Sequence, residues 1–242
     1  MGTGFIDLHC HYVAGIDDGA KTVAEGVAML SELRNLGFEL VVATPHMRPG
    51  MFDNTRESIT LAFERMTREL GDRSRLPELA LSSEHYFDET VYERLLEDRA
   101  LPYPGGRAAL LEFYEIDFPP MIDRRFADLV QRRILPVIAH PERYRCLWRK
   151  PETLERLVDL GAAALLDAAA LVGKYGKQPE RCAHELLERG LYHAACSDAH
   201  RASDVAEVKA GMRRIEKLYG KDEVELLFNT GPRALLEGRL PE

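Results

Sequence analysis

Seven short apolar segments alternate with longer amphipathic ones, and most of the histidines fall directly after the apolar segments. No Pro/Gly/Ser-rich linker or abrupt composition shift breaks the series. These observations predict an α/β protein, with a parallel sheet and helices packed outside it. The segments with strand character are Phe5–Leu8, Glu39–Ala43, Leu79–Ser82, Ala108–Phe113, Leu135–Ala139, Ala162–Leu166 and His193–Cys196. Several are apolar without alternation, as strands buried on both faces are. Seven such units could make either an open doubly wound sheet or a closed barrel. At 242 residues the chain is read as a single domain, 1–242.

Each element has a local reason. The first strand runs into His9-Cys10-His11, then a polar turn, Gly15–Ala20, whose Asp17 and Asp18 could cap a helix or supply an oxygen ligand. Val23, Val27, Leu30 and Leu33 recur at helical spacing, and Gly37 stops that helix. The second strand leads to Thr44-Pro45-His46 and a loop, 46–54, that is a candidate mobile lip. The third leads to Glu84-His85, and the fourth carries Glu112 near its end. The fifth ends in His140-Pro141, followed by a helix with Pro151 near its start and Gly161 past its end. A helix over Cys182–Arg189 stops at Gly190, before the seventh strand and Asp198-Ala199-His200. A long helix over Arg201–Gly220 and a shorter one over Asp222–Phe228 complete the pattern.

Composition narrows the function. The formal net charge is −8, a poor match to nucleic acid. Four cysteines show no C-x-x-C spacing, so neither a zinc ribbon nor a redox motif is present. The N-terminal stretch MGTGFIDLHCH lacks the basic and apolar regions of a signal peptide, and Gly2 lacks the hydroxyl residue of a myristoylation motif. No apolar run reaches membrane-spanning length. A cytoplasmic location is therefore expected.

The chemistry is read from position. In a parallel α/β fold the C-terminal strand ends share one face, where sites are built. Six of the eight histidines stand there, counting His85. Side chains repeat with period two along a strand, so His9 and His11 project to one side, a chelating pair for a divalent metal. Asp198 and His200 repeat that spacing, and Cys10 points the other way, into a core. Glu112 lies in an apolar strand, where a buried carboxylate needs a charged partner or a metal. Tyr86 and Tyr144 adjoin these residues and would either line a substrate rim or pack internally. No nucleophile elbow, P-loop or Cys-x5-Arg phosphate loop is present. A metal-dependent hydrolase is the expectation.

The run IDLHCHYVAGIDDGAKT, then ATPH, SSEHYFDE, LLEF, VIAHPERY and SDAH, resembles the PHP (polymerase and histidinol phosphatase) superfamily. Within it the chain is most similar to the CpsB/YwqE-like bacterial manganese-dependent tyrosine-protein phosphatases, from about Phe5 to Leu236. The resemblance implies a distorted seven-stranded (β/α) TIM-like barrel, the PHP fold. It implies three divalent metal ions, usually manganese, with iron or zinc as alternatives. The implied ligands are His9, His11, Asp18, His46, Glu84, Glu112, His140, Asp198 and His200. Arg143 is implied to hold the phosphoryl group, and His200 or His46 to serve as proton donor. A second family arginine falls near Val205 here, with Arg201 the candidate replacement in substrate binding. Four carboxylates against three divalent ions would leave roughly +2, suited to a phosphate dianion. The implied function is phosphotyrosine-protein hydrolysis linked to capsule or exopolysaccharide regulation, with a bacterial tyrosine kinase as a partner and a homo-oligomer as a further expectation. Alternatives are a histidinol-phosphate or other small-molecule phosphatase, and a catalytically silent metal-binding regulator.

Overall fold

The computed structural model describes residues 4–241; Gly2 lies outside the described residues. All seven expected strands form, within a few residues of their expected bounds: β1 (Phe5–Cys10), β2 (Phe38–Ala43), β4 (Glu78–Leu81), β6 (Ala108–Glu112), β7 (Leu135–Ala139), β8 (Ala163–Asp167) and β9 (Ala194–Cys196). Two short strands join them, β3 (His46–Met47) and β5 (Glu84–Tyr86). Every pairing between these strands is parallel, but they form two sheets rather than one: β1-β2-β4, and β3-β5-β6-β7-β8-β9.

The division has a local cause. Two-residue interruptions, Thr44-Pro45 and Ser82-Ser83, separate β2 from β3 and β4 from β5. Pro45 has no N–H to give a ladder, and its carbonyl instead accepts from Ser83 Oγ and Glu84 N. The registers stay aligned across the break, with Ala43 opposite Leu81 and His46 opposite Glu84. At the other edge, Asp198 N–H donates to His9 O and His11 N–H to Ala199 O, tying the chain after β9 to the end of β1.

The helices are α1 (Val23–Leu36), α2 (Arg56–Glu69), α3 (Glu89–Leu96), α4 (Ile122–Gln131), α5 (Glu152–Asp159), α6 (Lys177–Glu188), α7 (Val205–Tyr219), α8 (Lys221–Glu225) and α9 (Gly231–Leu236). Thr22 caps α1 by accepting from Glu25 N, and Gly37, at φ 106°, ends it by donating to Arg34 O. The long helix starts later than expected. Arg201 is extended at φ −146°, a 3-10 turn spans Ala202–Asp204, and α7 begins only at Val205. The expected segment Asp222–Phe228 divides into α8 and a π-helical stretch, Leu226–Thr230.

Alternation sorts the strand residues into two cores. Cys10, Val41, Ala109, Leu111, Ile138, Ala164 and Ala195 pack outward against the helices. Leu8, Val42, Leu110, Val137, Leu165 and Cys196 pack together on the other face. Tyr103 joins this inner cluster and donates through its hydroxyl to Leu8 O. Each fully buried Leu contributes about 1.5–3 kcal/mol. Glu112, Asp167 and Asp198 stand two residues beyond Leu110, Leu165 and Cys196, so period two carries three carboxylates onto the inner face at its C-terminal end.

Gly211 lets α7 press against the 3-10 segment after β8. A Cβ there would lie 2.0 Å from Ala168 O. Gly211→Ala is expected to cost about 1–3 kcal/mol through overpacking, read as a fall of several degrees in Tm in thermal denaturation.

Candidate active site

At the C-terminal strand ends lies a cavity of about 290 Å³ whose lining includes Asp18, His46, Glu84, Glu112, His140, Asp198 and His200. His9 and His11, both buried, stand against these residues. Among the described residues, four groups bring candidate ligand atoms within 4.8 Å of one another. They are His11/Asp18/His46/His200, His9/His11/Glu84, His9/His140/Asp198 and His46/Glu84/Glu112. All nine sequence-predicted ligands occur in them. Glu84 sits at the centre, 2.9 Å from His140 Nε2, 2.9 Å from His46 Nδ1 and 3.4 Å from His9 Nε2.

The imidazoles are held from behind. His9 Nδ1 bonds Thr44 Oγ1 at 2.6 Å, and His11 Nδ1 bonds Asp17 Oδ2 at 2.8 Å. Asp17 also accepts from His46 N and Gly19 N, so it orients two ligand-bearing segments. The two turn carboxylates differ: Asp17 is buried and engaged, while half-exposed Asp18 faces His46 and His200 at 3.4 and 3.5 Å. Asp7 does similar work beneath β1, accepting from Ser197 N, Ser197 Oγ and His9 N. His140 and Asp198 adopt left-handed backbone at φ 33° and 42°. Such positions cost about 1–3 kcal/mol and persist only where the surroundings impose them.

Electrostatics favour cations. Glu84 and Asp198 are held well below the carboxylate range; burial opposes this, but nearby imidazoles outweigh it. Burial is overcome at His9 by Glu84 and Asp198, which raise it to about 10, and at His46 by Glu84, Asp18 and Glu112, which raise it to about 11. Glu112 is pushed up to about 7 by burial and by Glu84, and His140 down to about 4 by burial and by Arg143. Among the described residues six buried side-chain atoms lack a hydrogen bond, and five of them, His9 Nε2, His11 Nε2, His46 Nδ1, His140 Nδ1 and Glu112 Oε2, belong to the cluster; the sixth is Asp167 Oδ2. Unsatisfied donor-capable imidazoles and carboxylates gathered in one place fit divalent metal ions.

Two arginines enter the cavity. Arg143 donates to Asp198 Oδ2 at 2.8 Å and stacks over Tyr175, 4.7 Å from the ring centroid. Arg48, which the sequence reading passed over, lines the wall 3.8 Å from Glu112 and lies 4.2 Å over the ring of Tyr86. Arg201 is exposed and does not line the cavity; its backbone N–H donates to Asp204 Oδ2. The 46–54 loop is pinned by reciprocal backbone bonds between Arg48 and Phe52, and Phe52 stacks on His46 at 5.1 Å.

Other residues resolve into support. His85 is buried and bonds Leu110 O and Leu101 N with its two ring nitrogens, so it serves the packing rather than the cluster. Tyr144 is buried and receives Phe113 N–H on its hydroxyl, whereas Tyr86 is half-buried beneath Arg48. Glu142 accepts from Asp167 N and Tyr192 OH, fixing the turn that carries Arg143. Asp7 and Asp167 carry the signal that singled out Glu112, a carboxylate in an apolar strand; Glu142 and Arg48, in polar loops, carry none.

The family model described as capsular polysaccharide synthesis, CpsB/CapC, matches residues 5–237. The tyrosine-protein phosphatase YwqE of Bacillus subtilis (strain 168) is 31% identical over 195 residues, 81% of this chain and 77% of that protein. The tyrosine-protein phosphatase CpsB of Streptococcus pneumoniae is 29% identical over 244 residues, 97% of this chain and 99% of that protein. A solved structure from work on YwqE of Bacillus subtilis and CpsB of Streptococcus pneumoniae, described as unique metal-dependent tyrosine phosphatases, matches with a TM-score of 0.90 at 28% identity. It covers 98% of this chain and 96% of that one.

If Asp17 orients His11 and the His46 segment, Asp17→Asn should weaken metal binding by roughly 10–100-fold while leaving the circular dichroism spectrum unchanged. Titration calorimetry with manganese reads the loss, and wild-type affinity in the variant would refute the role.

Proposed function

Because this chain belongs to the CpsB/CapC family of capsular polysaccharide synthesis proteins, we propose that it is a metal-dependent phosphomonoester hydrolase acting on phosphotyrosine in proteins. The observation that carries this reading is the meeting of nine imidazole and carboxylate ligands with Arg143 around one cavity. In this reading residues 1–242 form one metallohydrolase domain. Its two sheets are a distorted seven-stranded barrel, with Thr44-Pro45 and Ser82-Ser83 as kinks within two of the strands. Among the described residues no helix is long and apolar enough to cross a membrane. A cytoplasmic location, homo-oligomerisation and a tyrosine kinase as phosphorylated partner belong to the same proposal.

His9, His11, Asp18, His46, Glu84, Glu112, His140, Asp198 and His200 would hold three divalent ions, manganese being the favoured identity. Bound, such ions supply Lewis acidity, which polarises phosphoryl oxygens and makes water nucleophilic near neutral pH. Arg143, held rigid between Asp198 and the Tyr175 ring, presents its guanidinium to the phosphoryl oxygens, where a planar fork matches the geometry. Arg48, also lining the cavity, supplies a second positive charge there, the part that the resemblance would give to Arg201. Either His46 or His200, both beside Asp18, would protonate the leaving oxygen through a ring nitrogen not engaged by metal. A tyrosine phenol ionises near pH 10, so this proton matters less than for an alkyl phosphate.

Purified protein should hydrolyse p-nitrophenyl phosphate and phosphotyrosine peptides with added manganese, and lose both activities on chelation. Preference for a small phosphoester such as histidinol phosphate would move the substrate class, and a metal-loaded protein inert toward every phosphomonoester would favour a silent regulator. His140→Ala and Glu112→Ala should abolish turnover in folded protein; full activity would sink the ligand assignment. Arg143→Ala should lower kcat/KM by about 10²–10³-fold, as loss of an electrostatic contact to the transition state does.

A further inference from the structure

The cavity, about 290 Å³, is closed on one side by the loop after β6, residues 113–121, and a second hollow of about 600 Å³ lies across that loop. Tyr114 lines both hollows. Tyr86, Phe118 and Met121 help to form the second, and Tyr86 also supports Arg48 at the cavity wall. Tyr114 and Met121 are each 58% exposed, and Ile116 between them is 50% exposed. Neighbouring exposed apolar side chains of this kind mark an interaction surface.

The loop holds its shape without a partner. Phe118 packs edge-on against Phe113 and Tyr144, at ring-centroid distances of 5.0 and 5.4 Å. Arg145 N–H donates to Glu115 O at 2.7 Å, and Pro119-Pro120 restrict the backbone before α4. A rigid apolar trough therefore leads away from the mouth of the site. Its polar rim carries Asp88, Glu89 and Asp117 against Arg125, the single cation lining it among the described residues, which pairs with Glu89.

We propose that this trough receives the substrate polypeptide beside its phosphotyrosine, taking an apolar side chain within about three residues of it; this rests on the phosphatase reading above. Two points select this occupant. The trough shares Tyr114 with the cavity, and an extended chain advances only about 3.3–3.6 Å per residue, so residues adjoining a bound phosphotyrosine must cross this loop or the opposite lip. The excess of carboxylates on the rim disfavours anionic neighbours and suits neutral or basic ones.

The test uses the full manganese-loaded chain and three probes: p-nitrophenyl phosphate, a phosphotyrosine peptide flanked by leucines, and the same peptide flanked by glycines. Met121→Asp places a charge in the trough, and Asp tolerates the left-handed φ of 67° at this position. Met121→Gly removes the side chain without adding charge. The wild type should favour the leucine peptide by about tenfold in kcat/KM. Both variants should lose that preference through KM, with p-nitrophenyl phosphate turnover within about twofold of wild type. Equal leucine and glycine kinetics in the wild type, an unchanged preference in both variants, or parallel losses on all three probes would overturn the trough. So would variants that alter only self-association, which would make this face a contact between copies. Failure of the wild type on p-nitrophenyl phosphate itself would instead bring down the phosphatase reading, and this inference with it.

Discussion

The site is organised by a repulsion that the fold must answer. Glu84, Glu112 and Asp198 are buried together, with Asp18 at their edge, and adjacent carboxylates in a poorly solvated space cannot all stay charged without compensation. The imidazoles around them provide it, which is why His9 and His46 hold protons so tightly; at Glu112 burial and the neighbouring Glu84 prevail, and it keeps its own proton more tightly than an ordinary glutamate. Divalent ions would compete for the same lone pairs and supply more charge per ligand.

Holding such a cluster requires a frame that does not relax. The parallel strands provide the first layer, bringing their C-terminal ends to one rim. Buried carboxylates provide the second. Asp7 binds β1 to the Ser197 segment, Asp17 binds the turn after β1 to His11 and to the His46 backbone, and Glu142 binds the Arg143 turn to Asp167 and Tyr192. Each supporting carboxylate has its own hydrogen-bond donors, so the support does not add unsatisfied charge to the centre. The left-handed backbone at His140 and Asp198 belongs to the same scheme, since local strain is tolerated where neighbouring bonds fix the chain.

The entrance follows a different logic from the floor. Arg48 and Arg143 approach from separate loops, each flattened against a tyrosine ring, Tyr86 or Tyr175. Stacking fixes the planar guanidinium at little entropic cost and leaves its edge for oxygen ligands, of which Asp198 Oδ2 is one at Arg143. Tyr86 thus links the catalytic wall to the apolar trough beyond it, and the loop after β6 serves both. In the proposed reading, metal ions and phosphate would engage the cluster alone, and discrimination among substrates would fall to these outer loops.

Much of this was legible in the sequence. The alternation of strand and helix follows from local periodicity, and the gathering of His9, His11, His46, Glu84, Glu112, His140, Asp198 and His200 follows from parallel strands sharing a rim. Both are repeat geometries that need no knowledge of distant contacts. What the sequence left open lay in loops and at breaks. Asp17 and Asp18 are neighbours with the same chemistry, and only packing against His11 turned one inward and left the other facing the cavity. Arg48 and Arg201 each lie within two residues of a predicted ligand, and only the path of each loop brought one to the site and sent the other into solvent. The interruptions at Thr44-Pro45 and Ser82-Ser83, which divide the strands between two sheets, depend on bonds between segments some 38 residues apart. Period and composition are properties of a few consecutive residues; the direction of a loop side chain is set by whatever the rest of the chain places beside it, and that is decided only when the chain has folded.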